Sequence, residues 1–75
     1  IGPKSKEALN AAGIFTFEQL VAKTPEDLLR IVRDEHGVQV VGNATATWTK
    51  QARYIVNGDI EGLKKYQEFL QAGRE

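Results

Sequence analysis

Any chemistry in this 75-residue chain must come from few side chains, since it holds one histidine and no cysteine. His36 stands beside Gly37, where an imidazole reads as a helix terminator set against the negative end of the helix dipole. A metal site needs several converging ligands, and no such set gathers around His36 in the sequence. Ser5 has no histidine nearby to take its proton, so it does not read as a nucleophile. The carboxylate pairs Glu26–Asp27 and Asp34–Glu35 are chain neighbours. On a helix each pair diverges around the axis, whereas glycosidase-type chemistry needs carboxyl groups facing across a cleft. These residues predict a protein that is not an enzyme and uses no metal or other cofactor. Trp48, Tyr54 and Tyr66 are candidates for stacking on exposed bases. Trp48 shares an apolar stripe with Ala52 and Ile55, which predicts core packing. Tyr54, with Lys50 and Arg53, reads either as a small basic–aromatic patch or as a solvated helix face.

The elements that position these residues belong to a small domain. At this length about 60% of the unfolded chain's surface can be buried, which makes stability marginal. Apolar residues reach 41%, enough for a folded core. Without cysteine there is no disulfide framework, and the expected compartment is reducing and cytoplasmic. No apolar run approaches the roughly 20 residues that span a bilayer, so no membrane partner is expected, and no signal-peptide pattern is present. Ten basic residues balance ten acidic ones. A dedicated nucleic-acid binder usually carries a basic excess, so any basic patch here must be local.

Helix punctuation is dense. Pro3 suits a first helical position, Ala8, Leu9 and Ala12 share a face, and Gly13 supplies a left-handed stop, which predicts a helix over residues 3–12. Thr16 and Gln19 have capping-box spacing, with Phe15 and Leu20 as a hydrophobic staple and Phe17, Leu20 and Val21 facing inward. Thr24-Pro25-Glu26-Asp27 starts a third helix that ends at Gly37. Residues 38–46 read as an ordered loop whose valines tuck against the core, because a lone strand would be unstable. Thr47 is expected to cap a fourth helix with Trp48, Ala52, Ile55 and Val56 inward. Asp59 is expected to cap a fifth with Ile60, Leu63, Tyr66 and Leu70 inward, closed by Gly73. The expectation is one all-α domain over residues 1–75, a compact bundle of about five short helices.

Ile1-Gly2-Pro3-Lys4, followed by Leu9, Gly13-Ile14 and Thr16 through Leu20, resembles the helix-hairpin-helix family over about residues 1–32. Members of that family typically carry a first helix and another glycine before this point. The chain, which begins at Ile1 without a methionine, therefore reads as a fragment of a longer one. Thr47-Trp48 and Gly58-Asp59 are similar to a recurring pattern in small bacterial helix-hairpin-helix domains. Such domains occur as appendages, one of them on a large-subunit ribosomal protein. The resemblance implies a helix-hairpin-helix, SAM-like bundle.

It also implies a binding mode. A glycine hairpin lets the backbone approach a phosphate closely, and the next helix presents free N–H groups and its positive dipole end. Carried onto this chain, Gly2 permits the approach, the Lys4 and Ser5 amides donate to phosphate oxygens, and the Lys4 and Lys6 side chains add charge. Contact of this kind reads the DNA or RNA backbone and not base edges. The competing reading is a protein-interaction or structural appendage, attached to a parent or ribosomal protein, that keeps the fold without binding nucleic acid. Zero net charge and the nearby Glu7, Glu18, Glu26 and Asp27 favour it.

Overall fold

Residues that start and stop helices divide the chain into five helical segments. The computed structural model describes residues 2–73, of which 69% are helical and none lies in a strand. Ile1, the first residue of the hairpin motif, lies outside the described residues. The helices are α1 (Pro3–Ala11), α2 (Phe17–Val21), α3 (Pro25–Leu29), α4 (Ala44–Val56) and α5 (Ile60–Gln71). The chain continues from α3 through a π-helical segment, Arg30–Glu35. The all-α class and the five-helix order agree with the sequence reading.

Three starts are fixed by side chains, as their residue types require. The Thr16 hydroxyl accepts the Gln19 N–H at 3.1 Å while Gln19 Oε1 accepts the Thr16 N–H at 3.1 Å, closing a capping box. Thr24 and Asp27 close a second box, at 3.1 and 3.4 Å. Asp59 Oδ1 accepts the Gly62 N–H at 2.9 Å and opens α5. Each cap satisfies an amide that the helix cannot, worth about 1 kcal/mol.

Gly13, Gly37, Gly58 and Gly73 follow helix ends in the left-handed region. Gly13 has φ 85°, and the N–H groups of Ile14 and Gly13 donate to the carbonyls of Leu9 and Asn10 at 2.9 and 3.0 Å. This is a Schellman motif, completed by burial of both Leu9 and Ile14. Gly58, with φ 71°, ends α4 in the same way, and the Asp59 N–H donates to the Tyr54 carbonyl at 2.9 Å. Asp59 thus closes α4 with its backbone and opens α5 with its side chain.

The core comprises Ala8, Leu9, Ile14, Leu20, Leu28, Ile31, Val32, Trp48 and Ala52, with Leu28 and Val32 fully buried. α4 is the central element: it packs on α2, α3 and α5, while α1 packs on the π-helical segment. Val38 and Val40 pack against the core as expected, whereas Val41 is exposed.

Several sequence expectations are corrected. α4 begins at Ala44, so Thr47 is not its cap. The Thr47 hydroxyl donates back to the Ala44 carbonyl at 2.7 Å, the bond a threonine forms inside a helix. The earlier start places Thr45 and Thr49 in the interior, and the Thr49 hydroxyl is satisfied by the Ala46 carbonyl at 2.9 Å. Ala12, Phe17 and Val56 are exposed. α5 has no buried residue: Ile60 is exposed, and Leu63, Tyr66 and Leu70 are half-buried. Its apolar face meets chiefly α4 and not a closed core.

Candidate functional site

The residues proposed for phosphate contact all lie at the start of α1. Gly2 is its N-cap, extended at φ −75°, ψ 167°, and its carbonyl accepts the Lys6 N–H at 3.0 Å. A glycine carries no capping side chain, and among the described residues no side chain caps this helix. Pro3 at the first position has no N–H to offer. The amides of Lys4 and Ser5 therefore lead the helix with no intrahelical acceptor, at the positive end of its dipole. No acid falls in the first turn. Ser5 is buried, so its hydroxyl is not presented to an approaching ligand.

Lys4 and Lys6 are both exposed, but two helical residues are about 200° apart around the axis. They flank the helix start instead of forming one patch. Lys4 lines a shallow hollow with Glu7, His36 and Val38. Lys6 lines a groove between α1, α2 and α4, whose walls include Leu9, Ile14, Phe15, Leu20 and Trp48. Among the described residues no ion pair joins either lysine to an acid; the ion pairs gather after the start of α3. There Arg30 bridges Asp27 and Glu35 at 3.5 and 3.4 Å, and Arg33 bonds Asp34 at 2.8 Å. Hydrogen bonds from Thr24 hold the Asp27 carboxyl below the ordinary carboxylate range, and the Arg33 hydrogen bond does the same for Asp34.

The other candidates are engaged structurally. Trp48 is buried, as its stripe predicted. Tyr54 belongs to an aromatic row joining α4 to α5, with Tyr66 at 5.9 Å and Phe69 a further 6.4 Å on, between ring centroids. Lys50 Nζ lies 5.8 Å from the Tyr66 ring centroid, a cation–π distance. Of the small basic–aromatic patch, then, Tyr54 and Lys50 both serve the helix joint. His36 follows the π-helical segment, and its Nδ1 stands 2.8 Å from the Ile31 carbonyl. A carbonyl only accepts, so Nδ1–H donates and the ring ties off the helix end. Among the described residues no group of three or more His, Cys, Asp or Glu could hold a metal, and no helix is long and apolar enough to cross a membrane.

Sequence reasoning missed the groove beside Lys6. Its mouth carries Phe15 and Phe17, exposed at 70% and 48%. Phe15 was expected to staple onto Leu20, yet it keeps most of its surface in solvent. The available signal was two phenylalanines flanking the cap residue Thr16, one more ring than a staple needs.

A family model described as the RS2/RL21/YNQ2 HHH domain matches residues 1–56 of the 75. The match covers the opening Gly2-Pro3-Lys4, the Gly13-Ile14 turn and the Thr47-Trp48 pair. No curated protein and no solved structure matches the chain.

Proposed function

From a chain that belongs to the RS2/RL21/YNQ2 helix-hairpin-helix family, a family found in ribosomal proteins, we infer an accessory domain that holds nucleic-acid phosphates at the start of α1. One observation carries this reading: an N-terminus without a side-chain cap and without an acid in its first turn, flanked by Lys4 and Lys6. The Lys4 and Ser5 amides donate to phosphate oxygens, Gly2 leaves room for the approach, and the two ammonium groups neutralise charge from either side. Two lysine contacts give a salt slope of about −1.8, so binding is weak alone and independent of base sequence. The domain acts as a binding module and not as an enzyme, in the cytoplasm, on DNA or RNA.

The formal net charge of zero favours a second reading, a protein-interaction or structural appendage of a parent or ribosomal protein without nucleic-acid binding. Amide-shift titrations with short duplex DNA, single-stranded DNA and RNA hairpins, at low and moderate salt, divide the two. Salt-sensitive shifts centred on residues 2–6, weakened by Lys4→Glu, are expected. Silence with every nucleic acid at low salt would overturn the first reading in favour of the second.

A further inference from the structure

We propose that the groove on the Lys6 side of α1 receives an unpaired nucleobase, which makes single-stranded or looped nucleic acid the preferred substrate over regular duplex. The inference rests on the phosphate-binding reading and names the substrate class of that site.

The groove encloses about 410 Å³, within the range of small-ligand pockets. Its floor is apolar, built from Leu9, Ile14, Leu20 and the Trp48 ring. Phe15 at its mouth is held by its backbone and not by its ring. The Phe15 N–H donates to Gln19 Oε1 at 2.7 Å, while the side chain stays 70% exposed. An aromatic ring fixed at its root and open to water is a stacking platform, and every base has a face to cover it.

Charge selects the occupant. Of the residues lining the groove, Lys6 is the one cation and none is an acid. Lys6 lies one helical turn from Gly2, about 6 Å along the axis. A nucleotide whose phosphate meets the open end of α1 can therefore run past the Lys6 ammonium and lay its base into the groove. The hollow on the Lys4 side lacks this combination, because it contains the acid Glu7 and its one ring, the His36 imidazole, is bonded to the Ile31 carbonyl. An apolar protein segment would fill the floor but leave Lys6 and the open helix end without a counter-charge. A base inside a duplex is stacked and paired, and extracting it costs free energy that a single strand does not spend.

Trp48, the only tryptophan, lines the groove, so its fluorescence reports occupancy. The 75-residue chain is titrated with a short single-stranded oligonucleotide, the same strand made abasic, the matching duplex, and an uncharged amphipathic peptide. The expected result is a Trp48 response to the single strand alone. Phe15→Ala is expected to weaken single-strand binding at least about fivefold and to leave duplex affinity unchanged, the exposure of Phe15 making the variant safe for folding. Equal binding of single strand, abasic strand and duplex, insensitive to Phe15→Ala, would overturn the inference while leaving the phosphate site standing. No binding of any of the three would overturn both. A Trp48 response to the peptide and not to the single strand would assign the groove to a protein partner and overturn the inference.

Discussion

Tyr54 on α4 fills space that Gly62 on α5 leaves empty: a Cβ at position 62 would come within 2.8 Å of Tyr54 Cε1 and overlap the Asp59 carboxylate. That carboxylate is the cap of α5, bonded to the Gly62 N–H itself. With no buried residue of its own, α5 is held to α4 by this joint and by the row Tyr54, Tyr66, Phe69.

Gly62→Ala therefore lowers stability, although alanine is the better helix former by about 1 kcal/mol. The loss of the Asp59 cap costs about as much, and overpacking against Tyr54 adds about 1–3 kcal/mol. The net expectation is a Tm several degrees lower in a thermal melt. A raised Tm would show that Asp59 and Tyr54 yield cheaply, and the joint would lose its importance.

Leu28 is fully buried on α3, against the core residues of α4. Leu28→Ala removes about 2–5 kcal/mol, comparable to the whole stability of a domain this small. Urea titration followed by circular dichroism is expected to show partial or complete unfolding without denaturant. Val41→Ala, at a position 75% exposed, is the control and shifts stability by no more than about 0.5 kcal/mol. Similar midpoints for the two variants would mean that the core lies elsewhere.

The caps were legible in the sequence because Thr16, Thr24 and Asp59 each have their partner three residues on, a relation that is wholly local. The start of α4 was not. Thr45, Thr47 and Thr49 offer equally good capping hydroxyls, and only burial of Thr45 and Thr49 against the core decides that the helix begins before them. The π-helical segment was hidden for a related reason: Arg30–Glu35 has an ordinary helical composition, and the wider winding shows only in the backbone. The uncapped start of α1 was readable from the Gly-Pro-Lys opening. The groove was not, because Phe15, Lys6 and Trp48 meet through tertiary packing.

Acid should loosen the start of α3. The Thr24 hydroxyl and then the Thr24 N–H favour the charged form of Asp27, with Arg30 adding to both. A carboxyl lowered in the folded state contributes stability that is fully present above its unfolded value and lost as pH falls through the folded one. Asp34, lowered by its bond to Arg33, acts in the same direction. Amide exchange at Asp27 and Leu28 is expected to accelerate as Asp27 takes its proton, and Asp27→Asn should blunt that acid dependence. An Asp27 carboxyl titrating at or above the ordinary aspartate value, followed by carbon NMR, would contradict the capping geometry.

Gly2→Ala separates binding from folding. Gly2 holds an extended conformation open to any residue, and nothing stands within 4 Å of the position its Cβ would take. The fold has no steric need of a glycine there, and the change should cost about 1 kcal/mol, because glycine is a better N-cap than alanine. A phosphate approaching the Lys4 and Ser5 amides does need the bare backbone. The expected result is a several-fold loss of affinity for duplex and single strand alike, at an unchanged salt slope, because both lysines remain. Lys4→Gln should instead reduce the slope by about 1. Unaltered binding by Gly2→Ala would mean that contact runs through the lysine side chains alone, and the helix start would then hold no phosphate.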